Sequence, residues 1–141
     1  MNDPRIEAQR WFRQAEADLA VVATLRAAGH DAAACFYSQQ AAEKALKAVL
    51  FAHGARVVLG HSVQDLAQRC SAHDPAFAAL AADAALLDQF YVPTRYPNGL
   101  PAPAVPSESY TAVQALMAED AAVRVLRVAG DDLRQRGDLS G

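Results

Sequence analysis

Five prolines and one glycine lie between Pro93 and Pro106, and no helix can continue through this segment. Each proline lacks an amide donor, and its ring clashes with the preceding helical turn. Elsewhere apolar residues recur at helical spacing, as Trp11, Ala15 and Leu19 do. The chain is therefore predicted to consist of helices that are interrupted by a connector crossing the surface.

Alanine supplies much of the 52% hydrophobic content, and β-branched and aromatic runs are sparse. Alanine has the highest helix propensity, and 141 residues is the length of one ordinary domain. We therefore predict a single all-α domain over residues 1–141. Its expected architecture is an up-and-down antiparallel bundle of four long helices plus one short helix.

Capping residues predict where the helices begin and end. Each of the five helices is expected to begin beside a capping side chain, namely Asp3, Asp31, Ser62, Asp74 and Ser107. The corresponding ends are expected near Gly29, His53, Cys70, Tyr91 or Val92, and Gly137. In such a bundle alanine lets helices approach closely, and an apolar face left uncovered would favour a homodimer.

Charge and cysteine usage exclude several classes of function. The formal charge is -3 with a pI near 5.7, so any anion site must be local. Cys35 and Cys70 stand far apart, and the N-terminus has no signal-peptide pattern, which favours a cytoplasmic protein. No apolar stretch is long enough for a membrane span. The scattered histidines predict no metal site, and no cofactor is expected.

The segment Phe36–Lys47 contains both lysines of the chain, Lys44 and Lys47. On a helix these lysines share a broad arc with Gln39, Gln40 and Glu43, opposite an alanine-rich side. A plain solvated face is one interpretation, because charge runs often keep a helix soluble. Amides and ammonium groups together also suit phosphate and base edges, so the arc is a candidate anion site.

Tyr91, Arg95 and Tyr96 form a second candidate group. A guanidinium fits phosphate, and phenol rings can stack on a base. Alternatively, the tyrosines pack on the bundle while Arg95 caps helix C-terminal carbonyls, and both roles can coexist. Pro97 should force Tyr96 out of the helical region and so display Arg95 near a helix end.

Arg56 and His61 also match the spacing of an arginine and histidine in metal-free RNA cleavage, where imidazole acts as general base. Both residues lie on the predicted loop before the short helix, whereas Arg95, the arginine most suggestive of a site, has no histidine in the following dozen residues. We interpret their spacing as coincidence and His61 as a hydrogen-bonding residue at the loop-to-helix junction.

Taken together, these motifs resemble the HEPN domain (higher eukaryotes and prokaryotes nucleotide-binding), over about residues 8–133. The resemblance is carried by Trp11 with Asp18, by the Phe36–Lys47 segment, by His61-Ser62, and by Tyr91 with Arg95-Tyr96-Pro97. It implies an α-helical, often dimeric bundle that is commonly encoded or fused with a minimal nucleotidyltransferase. Members are proposed to bind nucleotides or nucleic acid, and many belong to toxin–antitoxin or defence systems.

Many HEPN proteins are ribonucleases with a histidine four to six residues after an arginine, and this chain departs from that pattern. Arg95 is followed by Tyr96, Pro97 and then Asn98 to Ala102, with no histidine. The departure favours a non-catalytic nucleotide- or RNA-binding module that acts with a nucleotidyltransferase partner. The binding residues that the resemblance implies are Lys44, Lys47, His61, Tyr91, Arg95 and Tyr96.

Two alternative functions remain open. One is a ribonuclease toxin in which His61 is brought near Arg95 or Arg56 in a dimer. The other is a bundle whose only role is dimerisation and partner docking, with the polar arc either solvated or covered by the partner.

Overall fold

A computed structural model describes residues 3–139, and within this range the regular structure is entirely helical. The α-helices are α1 (Pro4–Ala27), α2 (Asp31–Ala52), α3 (Val63–Ser71), α4 (Ala81–Asp88) and α5 (Ala112–Gln135). Short 3-10 helices lie at Pro75–Leu80, Pro97–Gly99 and Pro106–Glu108. No helix in the described range is both long and apolar enough to cross a membrane.

Three of the predicted caps are present as expected, and one of them is Asp74, whose carboxylate accepts a hydrogen bond from the Ala76 amide. The Asp3 carboxylate accepts a hydrogen bond from the Arg5 amide, and Pro4 occupies the first turn of α1. The Ser62 hydroxyl accepts from the Asp65 amide at the start of α3. These caps are local interactions between residues two or three positions apart, so sequence is sufficient to find them.

Two other predicted caps were wrong. Asp31 is the first residue of α2 itself, and His30 precedes it without a capping hydrogen bond. Helix α5 begins after Thr111 rather than Ser107, because Thr111 and Gln114 form a reciprocal capping box. The box satisfies two backbone amides, which Ser107 would do less well from within the 3-10 turn.

The fourth helical segment is shorter and less regular than expected. It starts after Asp74 as the 3-10 helix Pro75–Leu80, continues as α4, and stops at Asp88 rather than at Tyr91 or Val92. Pro93 has no amide to donate to the carbonyl four residues earlier, so the last predicted turn loses a hydrogen bond. Tyr91 and Arg95 consequently lie on turns beyond the helix.

Helix α2 forms the centre of the bundle, and 16 of its 22 residues are buried. Helix α1 runs antiparallel to it, since Trp11 stacks on Phe51 while the later Asp18 pairs with the earlier Lys44. Helix α5 runs parallel to α2 on another side. The core on α2 consists largely of alanines with no exposed surface: Ala34, Ala41, Ala42, Ala45 and Ala48.

Candidate functional site

The polar arc of α2 is mostly buried, so its interpretation as a solvated face was wrong. Gln39, Glu43 and Lys47 are 0%, 4% and 6% exposed. Only Gln40 and Lys44 reach intermediate exposure. Helix α1 covers one flank of the arc and the loop around His61 covers the other. The arc is therefore an internal polar row, and its atoms must find partners within the protein.

Glu43 is the centre of this row. Its carboxylate accepts hydrogen bonds from the Gln39 and Gln40 amides at 3.3 and 3.4 Å. The Lys47 ammonium lies 3.1 Å from the same carboxylate, and both side chains are almost wholly buried. The burial of this ion pair makes it far more consequential than the exposed helix pair that the spacing predicts, because neither charge can be screened by water.

His61 is the only exposed member of this network. Its Nδ1 lies 3.3 Å from both carboxylate oxygens of Glu43, while 57% of its side chain is exposed. The Gln39 amide also donates to the His61 carbonyl at 2.9 Å. With a proton on Nδ1, the ring donates to Glu43 and presents Nε2 as an acceptor. The imidazole is thus oriented by a buried carboxylate.

The start of α3 holds the backbone next to His61 in place. Asp88 on α4 accepts from the amides of Val63 and Gln64 and from the Ser62 hydroxyl. The carboxylate thereby satisfies first-turn amides that no intrahelical carbonyl can reach. The position of His61 therefore depends on α2, α3 and α4 together.

Arg95 lies among three aromatic rings. Its guanidinium carbon is 4.4 Å from the centroid of Phe36, 4.6 Å from that of Tyr91 and 5.0 Å from that of Tyr96. Its Nε also donates to the Tyr91 carbonyl at 2.9 Å. The packing role considered from sequence is therefore present, although the carbonyl that Arg95 bonds lies just beyond the end of α4. One nitrogen is used for the backbone bond, and the rings fix the plane of the fork.

His61 and Arg95 meet on the same tyrosine. The His61 and Tyr91 rings stack with centroids 4.7 Å apart, and Arg95 lies over the same Tyr91 ring. Tyr91 is partly covered by these contacts, whereas Tyr96 is 51% exposed. Tyr91 therefore holds the His61 ring and the Arg95 guanidinium in position, and the Tyr96 ring remains open to solvent.

A cleft of about 370 Å³ opens beside Arg95. Arg95 and Phe36 line it together with the start of α2 at His30 and Asp31, and with the proline connector at Pro106. Pro97 holds Tyr96 in an extended conformation, with φ -123° and ψ 129°, as predicted. The cleft is thus bounded by a rigid helix on one side and by the connector on the other.

The six predicted binding residues do not form one group. The structure brings His61, Tyr91, Arg95 and Tyr96 together, and Lys47 joins them only through Glu43. Lys44 points toward α1, where it pairs with the buried Asp18 carboxylate. Arg56 is exposed, and His61 is paired with Glu43 rather than with it.

Three residues of the site were missing from the sequence-based set. Phe36 carries the closest ring contact of Arg95, Glu43 orients His61, and Asp88 fixes the turn after His61. Phe36 and Glu43 both lie within the segment that sequence singled out. Their separation of seven residues, two helical turns, is the signal that would have placed them on one side of α2.

A second histidine–carboxylate pair lies at the other end of α2. His53 Nε2 is 3.1 Å from the Asp132 carboxylate, and its ring stacks on His73 with centroids 4.2 Å apart. Near it, burial raises the pKa of the Cys70 thiol to about 12, and Asp132 adds to the effect. This thiol stays protonated and unreactive at neutral pH. Within residues 3–139, no three potential metal-binding side chains are grouped as ligands.

Comparison with known proteins gives a consistent family. The sequence model of the HEPN domain matches residues 8–131. The structure is similar to that of TT1696 from Thermus thermophilus, with 36% identity, a TM-score of 0.79, and coverage of 90% of this chain and 98% of that one. It is also similar to ST0689, an archaeal HEPN homologue, with 34% identity, a TM-score of 0.73, and coverage of 89% and 96%. A search of curated proteins found no significant match.

Proposed function

This chain belongs to the HEPN domain family, and from that premise we propose that it is a non-catalytic module that binds a nucleotide or RNA. The observation that carries the proposal is Arg95 held among Phe36, Tyr91 and Tyr96 beside the exposed His61. Arg95 would bind phosphate, and the exposed rings of His61 and Tyr96 would stack on a base.

The charge balance supports an anionic ligand at this position. Glu43 is already neutralised by Lys47, and Arg95 has no carboxylate within ion-pair distance among residues 3–139. A guanidinium whose plane is fixed by aromatic contacts loses little conformational entropy on binding phosphate. Lys47 would act indirectly, by holding Glu43 and therefore His61.

The test is a binding titration of AMP and of a short RNA at low salt with wild-type protein and Arg95→Ala. We expect at least about tenfold weaker binding of both ligands, as for loss of one well-placed charged hydrogen bond. Arg127→Ala on α5 is the matched control, since it removes an exposed arginine elsewhere. Undetectable wild-type binding, or equal affinity of the Arg95→Ala protein, would reject the proposal.

We further propose that the module forms a homodimer and acts with a minimal nucleotidyltransferase, in a cytoplasmic toxin–antitoxin or defence system. This part rests on family membership. Co-expression with a nucleotidyltransferase encoded beside it, followed by size-exclusion chromatography, tests both associations. If complex formation is intact while every ligand titration is silent, the protein is a structural docking bundle instead.

A ribonuclease is the second candidate, and the Glu43–His61 pair is the observation that favours it. A buried carboxylate that orients an exposed imidazole is the arrangement of a general base, and Arg95 is linked to it through Tyr91. Against it, no histidine follows Arg95 at the family spacing. Growth arrest on expression that His61→Ala abolishes would support cleavage, whereas unaffected growth and intact RNA would exclude it.

A further inference from the structure

A groove of about 710 Å³ runs between the first half of α1 and the middle of α2, away from the cleft beside Arg95. Its lining is mainly cationic, polar and aromatic: Glu7, Arg10, Trp11, Arg13, Gln14 and Lys44. Basic residues interleaved with an aromatic ring are the surface chemistry that binds single-stranded nucleic acid.

The cations of this groove differ in how strongly they are already paired. Lys44 is bound to the buried Asp18, which also accepts from Gln14 at 2.9 Å. Arg10 pairs with Glu7, although 70% of its side chain is exposed. Arg13 is exposed and forms no ion pair with any residue in the range 3–139. Arg13 is therefore the groove cation that is most available to a phosphate.

A chain of contacts through the interior of the protein links the groove to the site proposed above. The Lys47 ammonium lies 5.5 Å from the Trp11 ring centroid and pairs with Glu43, which in turn holds His61. His61 stacks on Tyr91, and Arg95 lies over that ring. One chain of contacts therefore joins Trp11 in the groove to Arg95.

The distance between the two regions excludes a mononucleotide that occupies both. Phe36, which contacts Arg95, and Lys47, which contacts Trp11, are eleven residues apart on α2. At about 1.5 Å per residue this is about 16 Å. Stacked nucleotides advance about 3.4 Å each along a strand, so about five are needed to span it.

From these observations we propose that the α1–α2 groove is a second subsite, which binds the backbone of a single-stranded oligonucleotide whose other end lies at Arg95. The inference rests on the proposed function, and it specifies a chain of several nucleotides. Arg13 and Arg10 contact its phosphates. An acidic peptide would also be attracted to these arginines, but the exposed Tyr96 ring beside Arg95, where the other end of the ligand lies, favours RNA.

The test compares AMP, an RNA dinucleotide and an RNA octanucleotide on wild-type protein, Arg13→Gln and the control Arg127→Gln. Wild-type affinity should rise with length. Arg13→Gln should bind the octanucleotide about two- to fivefold more weakly, the range of one exposed ion pair. The slope of log affinity against log salt should also fall in magnitude by about 0.7. AMP binding and thermal stability should be unchanged.

Three outcomes would overturn the groove proposal while leaving the Arg95 site intact. One is an octanucleotide affinity no greater than that of AMP, and another is equal octanucleotide binding by Arg13→Gln and wild type. The third is that Arg13→Gln no longer associates with the nucleotidyltransferase but binds RNA as wild type does, which would assign the groove to a protein partner. If wild-type protein binds none of the three probes, the proposed function itself fails.

Discussion

Two histidines of this protein are each held by a buried carboxylate, yet they lie in contrasting environments. Glu43 and Asp132 are about equally inaccessible, with side chains 6% and 7% exposed. Their histidines differ, because the His61 side chain is 57% exposed whereas that of His53 is 13% exposed. Burial of the acceptor therefore does not distinguish a site from a structural contact.

What distinguishes the two pairs is the next neighbour of each imidazole. His61 stacks on Tyr91, beside Arg95 and an open cleft. His53 stacks on His73, where α2, α3 and α5 end together, and the Arg136 guanidinium beside it is used in a hydrogen bond to the Ala52 carbonyl. In the proposed function the first pair acts on a ligand, whereas the second joins helix ends. Changes in each pair should therefore have separable consequences for stability and binding.

The largest loss of stability is expected in alkaline solution. The region around the buried His53–Asp132 pair, where Cys70 lies, should contribute to this loss. Burial raises the pKa of Cys35 and Cys70 from 9.0 to about 12. The native state thus retains protons that the unfolded chain releases, so stability is full below about pH 9 and falls as pH rises toward about 12. Urea unfolding below that window and midway through it measures the loss.

The variant with both Cys35→Ala and Cys70→Ala is the control for other groups that titrate in this range. It should lose clearly less stability than wild type over the same pH interval. The single variant Cys70→Ala should remove only the part of the alkaline loss that comes from the Cys70 thiol near His53. An identical alkaline loss in wild type and in the double variant would show that the thiols are not protected by burial.

The next largest effect is expected for Glu43→Ala. This change leaves the Lys47 ammonium buried without a counter-charge, which costs about 3 kcal/mol or more of the free energy of unfolding. It should also weaken ligand binding, because His61 loses its orienting acceptor. Urea denaturation and the AMP titration measure the two effects.

Adding Lys47→Met to a Glu43→Leu protein should restore much of that stability, because a paired apolar replacement removes both buried charges. Binding should stay weak in this protein, since His61 remains unsupported. Full recovery of ligand affinity would show that Glu43 has no positioning role.

Asp132→Asn should have a smaller effect, and on stability alone. The asparagine amide is close in size to the carboxylate but has no charge to strengthen the hydrogen bond with His53. We therefore expect the free energy of unfolding to fall by about 1 to 2 kcal/mol. AMP and octanucleotide affinity should match wild type at a temperature where both proteins are folded. A parallel drop in affinity would mean that the two histidine pairs are coupled through α2, and the contrast drawn between them would fail.

The smallest effect is expected for Ser62→Ala, which removes the α3 cap next to His61. Loss of an N-cap hydroxyl costs about 1 kcal/mol, and Asp88 still accepts from the Val63 and Gln64 amides. Thermal unfolding measures the cost. Asp88→Ala should lose more thermal stability than Ser62→Ala, because it removes three hydrogen bonds at once. A larger loss in Ser62→Ala would show that Ser62 alone holds this turn.

Local interactions explain which parts of the fold could be predicted. Asp3 with Pro4, Ser62 with Asp65, and Asp74 with Pro75 cap their helical segments through bonds within a few residues. The start of α5 was misplaced because Ser107 and Thr111 are both capping residues. Only the partner Gln114 decides between them.

The burial of the polar row could not be read from sequence in the same way. A helix with Gln39, Glu43 and Lys47 at successive turns has the pattern of a solvated face. Whether it is solvated depends on what packs over it, and His61, eighteen residues after Glu43, supplies part of that cover. Tyr91, Arg95 and Tyr96 were grouped correctly because they are neighbours in the chain.

The alanines of α2 also determine which parts of this protein can diversify. A side chain larger than alanine at Ala41, Ala42 or Ala45 would meet a neighbouring helix, because these positions have no exposed surface. Evolution and protein engineering therefore have little freedom along the centre of the bundle. New ligand preferences should arise from substitutions on the outer side of α1 and in the proline connector, while the core positions of α2 stay the same.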